Sequence, residues 1–238
     1  MNNKTIGLAA LGLLVACGLT LLGFQLARGL VAFKALERTV TVKGLAEREV
    51  EADIAIWPIT FSEADNDLGA LFATIERHNA LIVAFLEGQG FAREDVSIAS
   101  PTVVDRQAQG YNAGDRLPFR YAAQSTVTVY TRNVDQVRAS MNQLVALGKQ
   151  GIALGGAGYQ AQTEFIFTRL NDIKPAMIEE ATRNAREVAA KFAADSDSRL
   201  GKIKTALQGQ FSITDRDRST PYIKKVRVVS TVAYYLAD

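Results

Sequence analysis

The chain opens on an unbroken apolar run, Ile6 to Leu26, without a charged residue in 21 positions. About 20 such residues cross a bilayer as a helix, whereas the apolar core of a cleavable signal is usually about 7–15 residues long. The pattern predicts an uncleaved single-span anchor, followed by a short stalk over Leu30–Glu37. The period then changes. Thr39–Gly44 alternates as a strand, and Ile54–Phe61 is a second strand in which Pro58 implies an edge or a bulge. Between Asp67 and Glu87, the apolar residues Leu68, Leu71, Phe72, Ile75, Leu81, Ile82 and Phe85 repeat near 3.6, which predicts an amphipathic helix ended by Gly88 and Gly90. Strands are expected at Val96–Val104 and Tyr121–Thr131. The polar, glycine-bearing loop Asp105–Pro118 between them is expected to be the most mobile segment.

A second helix is predicted over Val134–Leu147, then a glycine-rich connection, Gly148–Gly158, and a strand at Gln160–Phe167. Asp172–Ala194 reads as a long helix with Pro175 in its first turn, where proline is tolerated. Ile203–Ile213 and Val226–Leu236 close the chain as strands. Strand-helix-strand-strand thus occurs twice, at about 53–131 and 160–236, with similar junctions in Ile59-Thr60-Phe61-Ser62 and Phe165-Ile166-Phe167-Thr168. Helices on mainly antiparallel sheet define an α+β fold. The expected organisation is an anchor and stalk over 1–38 and one extracytoplasmic domain over 39–238, built on one continuous core.

Composition narrows the function classes. The 238 residues are 48% hydrophobic and 22% charged, at a mean hydropathy of +0.03. That excludes a disordered chain and a multi-span membrane protein. Of 27 basic and 25 acidic residues, Lys4, Arg28, Lys34, Arg38 and Glu37 precede position 39, which leaves 23 basic and 24 acidic. The basic isoelectric point therefore belongs to the anchor segment and gives no case for nucleic acid. Lys224, Lys225 and Arg227 read as a solvated strand edge. One cysteine excludes an intrachain disulfide, and one histidine argues against zinc.

Leu14-Val15-Ala16-Cys17 resembles a bacterial lipobox, but the chain after Cys17 stays apolar where a lipoprotein has a polar tether. The anchor is the reading adopted. Ala9, Gly12, Ala16, Thr20, Gly23 and Ala27, with Thr5 before them, form a small-residue stripe at steps of three and four. Such a stripe lets helices approach closely, which points to self-association of anchors. A segment this rich in Gly, Ala and Thr also produces a stripe by composition alone. Three basic residues after the span and one before it favour a cytoplasmic C-terminus.

The candidates for chemistry each have a structural reading. His78 is expected as a surface or capping residue. Asp65 and Asp67 stand before a helix as caps. Asp215-Arg216-Asp217-Arg218 reads as a salt-bridged turn, and Trp57 as core. Gly151–Gly158 lacks the Gly-Lys-Ser/Thr of a phosphate loop and leads into a strand. The expectation is no enzyme, no cofactor and no metal.

The segment Val40-Thr41-Val42-Lys43-Gly44-Leu45-Ala46-Glu47, continued through Ala52-Asp53-Ile54-Ala55, resembles the opening motif of the SIMPL-domain family. That motif is a strand, Gly-x-Gly, a short gap and Pro-Asp-x-Ala. Gly44, Asp53 and Ala55 match it, while Ala46 and Ala52 replace its second glycine and its proline. Gly90-Phe91, Asp95-Val96 and Tyr121 continue the similarity in order, over about residues 39–236. The resemblance implies a bacterial envelope protein, anchored in the inner membrane with its domain in the periplasm. It implies homo-oligomeric, ring- or channel-like particles and a link to oxidative or envelope stress, with no catalytic residues to carry over. It opposes the charge count across the anchor and is preferred to it. The alternative is an extracytoplasmic module that binds an envelope ligand or partner protein.

Overall fold

The computed structural model describes residues 3–35, 38–108, 118–155 and 162–237. It is an α+β protein. A long apolar helix, α1 (Asn3–Ala35), leads into β1 (Thr39–Glu51) and β2 (Ile54–Asp65). Then follow α2 (Leu68–Gly88), β3 (Val96–Ile98), β4 (Thr102–Asp105), β5 (Tyr121–Thr131), α3 (Val134–Met141) and α4 (Val145–Lys149). The remainder is β6 (Glu164–Ile166), α5 (Leu170–Asp195), β7 (Arg199–Gln208), β8 (Ser212–Asp215) and β9 (Ile223–Ala237).

The strands form two antiparallel sheets. One has the order β3-β5-β2-β6, with β4 also on β5. The other has the order β1-β9-β7, with β8 also on β9. The chain divides into two compact units. The first comprises Met1–Arg48, Ile173–Ser212 and Arg227–Asp238; the second comprises Glu49–Asp172 and Ile213–Val226. Buried apolar residues cluster separately in each. The expectation of one continuous core gives way to two, because each sheet buries its own face under its own helices.

In the second unit α2 covers β5 and β2. Asp67 caps the helix as expected by accepting from Ala70 N at 2.9 Å, whereas Asp65 accepts from the Asp67 N–H and closes the turn before the cap. The buried stripe is Leu71, Ile75, His78, Asn79, Ile82 and Leu86. Leu68 and Phe72, expected inside, are exposed. His78, expected at the surface, is 7% exposed and bonds Glu63 through Nδ1 at 2.7 Å. Asn79 is buried beside it and accepts from Ser125 Oγ at 3.1 Å. A 3.6-residue period marks a face, and partners on β2 and β5 let polar residues share it.

Several expected elements are shorter. Val96–Val104 divides into β3 and β4, with Pro101 in the gap. Val134–Leu147 divides into α3 and α4. Pro175 lies inside α5, not in its first turn, because the helix starts earlier, at Leu170. Among the described residues, Pro58 has no strand partner on the side away from β5. The bonds Gly155 N→Thr60 O and Ser62 N→Ala153 O turn the even-numbered residues of β2 away from β5, and β6 pairs only as far as Ile56. A missing N–H is tolerated there. Lys224 corrects the edge reading: β9 is central, and Lys224 is buried against Asp215.

The repeated element order is present, but space reassigns one strand. In the first repeat β2 precedes α2 and pairs β5. In the second, β6 precedes α5 yet joins β2. The neighbour of β9 is instead β1. In the first unit α5 lies on this sheet through an every-fourth stripe, Met177, Ala181, Ala185, Ala189 and Ala193. Gly44 of β1 sits directly beneath it. A Cβ there would stand 1.8 Å from the Ala181 carbonyl oxygen and 2.5 Å from Ala185 N.

Candidate functional site

Asp53 occupies the two-residue connection between β1 and β2, which backbone bonds pin on both sides. Ala52 N donates to Tyr222 O and Asp53 N to Ile166 O, each at 2.8 Å. The Asp53 carboxylate accepts Thr168 N and Thr168 Oγ, both at 2.8 Å, and Arg169 Nε lies 3.2 Å away. Partial burial pushes the carboxyl pKa up, but the Thr168 hydrogen bonds and the Arg169 charge outweigh it, and the net shift is downward.

This connection borders a polar cavity of about 230 Å³ in the second unit, lined by Asp53, Arg169, Arg132, Asp135, Arg138 and Tyr222 among others. The Arg138 guanidinium stacks 3.5 Å over the Tyr222 ring and bonds Asp135 at 2.9 Å. Arg132 and Glu51 face the same cavity. Its arginines are balanced by carboxylates, so it suits polar ligands without a strong preference for one sign. Among the described residues no group of three or more His, Cys, Asp or Glu is placed to hold a metal.

Asp53→Ala is expected to lose about 1–2 kcal/mol, the cost of two broken hydrogen bonds to a charged acceptor. The Asp53 contribution is complete above the ordinary carboxyl pKa near 3.8. It is lost as pH falls through the lower folded value. Urea titrations of wild type and variant at pH 7 and in acid should converge. A constant difference down to the lowest pH that keeps the fold would remove the charge argument.

The other sequence candidates lie apart from this cavity. Trp57 is 2% exposed and packs on Phe91, as expected of core. The turn at Asp215–Arg218 is salt-bridged: hydrogen bonds from Thr220 and then Arg216 hold Asp217 down to about 2, and Arg216 also reaches Glu49. The base of the Asp105–Pro118 loop is closed by Arg120 on Asp105, while residues 109–117 lie outside the described residues. The glycine-rich connection is described only to Gly155, with Gly151 and Gly155 at positive φ. On α1, Gly12, Ala16, Thr20, Gly23 and Ala27 are exposed, and Thr20 Oγ bonds Ala16 O at 2.8 Å. The Ala9 side chain lies outside the described residues. Sequence reasoning missed Arg138, Arg169 and Tyr222, because no local spacing links positions so far apart in the chain.

Three motif positions acquire structural roles: Gly44 admits α5, Asp53 holds Thr168, and Ala55 is fully buried. A family model described as SIMPL, protein of unknown function (DUF541), matches residues 40–232. A comparison with curated proteins gives no match.

Proposed function

The chain belongs to the SIMPL family, and from that premise we propose that it is a single-pass protein of a bacterial inner membrane with its domain in the periplasm. Its copies assemble there into a homo-oligomeric, ring- or channel-like particle with no catalytic role, linked to oxidative or envelope stress. The observation that carries the reading is α1. Its Gly12–Leu30 stretch has a mean hydropathy of 1.7, and none of it is buried within the protein. Leu13, Leu14, Leu19, Leu21 and Leu22 are each at least 60% exposed. That much apolar surface on a helix of spanning length fits lipid. Helix α2 is also long and apolar enough to cross, but its inner face is core. The exposed Gly12–Ala27 stripe supports contact between anchors.

The test is the intact subunit mass and the native particle mass of full-length protein in mild detergent. The expected result is an unprocessed subunit in a discrete particle several times heavier than 25.8 kDa. A monomer at every concentration would overturn the assembly. A subunit beginning at a lipidated Cys17 would overturn the anchor. The second reading, an extracytoplasmic binding module, draws on the polar cavity beside Asp53, and a monomer would move the assignment there.

A further inference from the structure

The cavity beside Asp53 has two walls, and each keeps one uncompensated charge. One wall is the β1–β2 connection with the segment after β6, and it carries Glu51, Asp53 and Arg169. Arg169 Nε lies 3.2 Å from Asp53 Oδ2, so that pair cancels and the Glu51 carboxylate remains. The other wall is the turn from β5 into α3, and it carries Arg132, Asp135 and Arg138. Arg138 Nη1 lies 2.9 Å from Asp135 Oδ1, so that pair cancels and the Arg132 guanidinium remains. Among the described residues the side chains of Glu51 and Arg132 make no hydrogen bond or ion pair, and both residues are exposed. Glu49, the next acid along β1, is taken by Arg216 and does not line the cavity.

The walls that carry these two groups are held from behind. Asp53 is bound by Thr168 and Arg169. Asn133 donates its N–H to Thr131 Oγ1 at 3.2 Å, accepts from Gln136 N at 3.2 Å and donates through Nδ2 to Gln136 Oε1 at 2.8 Å. Arg138 is stacked on Tyr222, whose ring meets Phe165 edge to face with centroids 6.1 Å apart. Thr131 pairs with Ala55, which sets Arg132 beside Ile54 and brings both walls to one end of the β2–β5 ladder. Walls fixed before a ligand arrives lose little freedom when it binds.

Resting on the binding-module reading above, we propose that this cavity binds a small neutral α-amino acid as its zwitterion, the carboxylate on Arg132 and the ammonium on Glu51. A simple anion would gain Arg132 and meet an uncompensated Glu51. A simple cation would gain Glu51 and meet Arg132. A ligand that carries both charges satisfies both walls at once. The planar guanidinium suits a carboxylate through two parallel hydrogen bonds, and a carboxylate accepts from an ammonium. A third charge on the ligand would find only groups already paired, so its side chain is uncharged. The volume of about 230 Å³ is below the roughly 300–1,000 Å³ of pockets for drug-sized molecules, as a ligand of few heavy atoms requires.

Full-length protein in mild detergent is titrated calorimetrically with glycine, L-alanine and L-serine. Propionate and ethylamine are titrated beside them, being alanine without its ammonium and alanine without its carboxylate. The expected result is saturable binding of the amino acids, with propionate and ethylamine at least about tenfold weaker, equivalent to about 1.4 kcal/mol. Glu51→Gln is expected to weaken alanine until it binds no better than propionate. Arg132→Gln is expected to weaken it until it binds no better than ethylamine. Both variants should keep the wild-type circular dichroism spectrum, and a structural role for either residue would not give that crossed pattern. Propionate or ethylamine binding as tightly as alanine would overturn the zwitterion and leave the cavity a binding site. Alanine binding that survives both substitutions would overturn the assignment to this cavity. Silence from all five compounds would overturn the zwitterion and the cavity as a small-ligand site together.

Discussion

Gly44→Val should cost the first unit at least about 3 kcal/mol, at the upper end for overpacking a filled site. The reason is the partner it meets. Even the first added carbon would stand 1.8 Å from the Ala181 carbonyl oxygen and 2.9 Å from the Ala185 Cβ. Those are mostly backbone atoms of a helix, which cannot swing aside as a side chain does. α5 would have to lift from β1, opening its alanine stripe to water along Met177–Ala193. For a chain of this size the loss lowers the melting temperature by roughly 6–12 °C. Circular dichroism reads it directly. The single tryptophan, Trp57, lies in the second unit, so its fluorescence reports that unit separately. Gly88→Ala is the control: it sits at the end of α2 with nothing within 4 Å of the added carbon, and its effect should stay within about 1 kcal/mol. If Gly44→Val melts with the wild type, the close helix–sheet approach is wrong.

The second large effect is Trp57→Ala, expected to cost about 3–5 kcal/mol. Trp57 lies on the inner face of β2 beside Phe91, with ring centroids 6.2 Å apart, and is 2% exposed. Ile59 and Phe61 follow it on the same buried face, so the cavity left by the indole has rigid walls on strand and helix. Trp57→Phe should recover most of the loss. A recognition aromatic would behave differently: Trp57→Ala would then keep its urea midpoint and lose only a partner. Wild-type stability in that variant would overturn the core role of Trp57.

Asp67, Gly90 and Trp57 illustrate what can be read locally. A cap acts on amides two or three residues away, a glycine at φ 89° ends its own helix, and an aromatic in an alternating strand faces inward. His78 and Lys224 illustrate the limit. Both were expected at the surface. Each is buried because a carboxylate elsewhere in the fold, Glu63 or Asp215, meets it. The cavity beside Asp53 belongs to the same class. Asp53 and Arg169 are 116 positions apart, and only the pinned β1–β2 connection brings them together.

The apolar N-terminal helix, the order and type of most elements, the α+β class and the family were legible in the sequence, because all of them depend on periodicity and local chemistry. The tertiary structure alone decided that β1, not β6, flanks β9, that two cores replace one, and which polar residues are buried. Those outcomes depend on pairing between distant strands. Hydrophobic alternation specifies which face of a strand is buried but not which strand lies beside it.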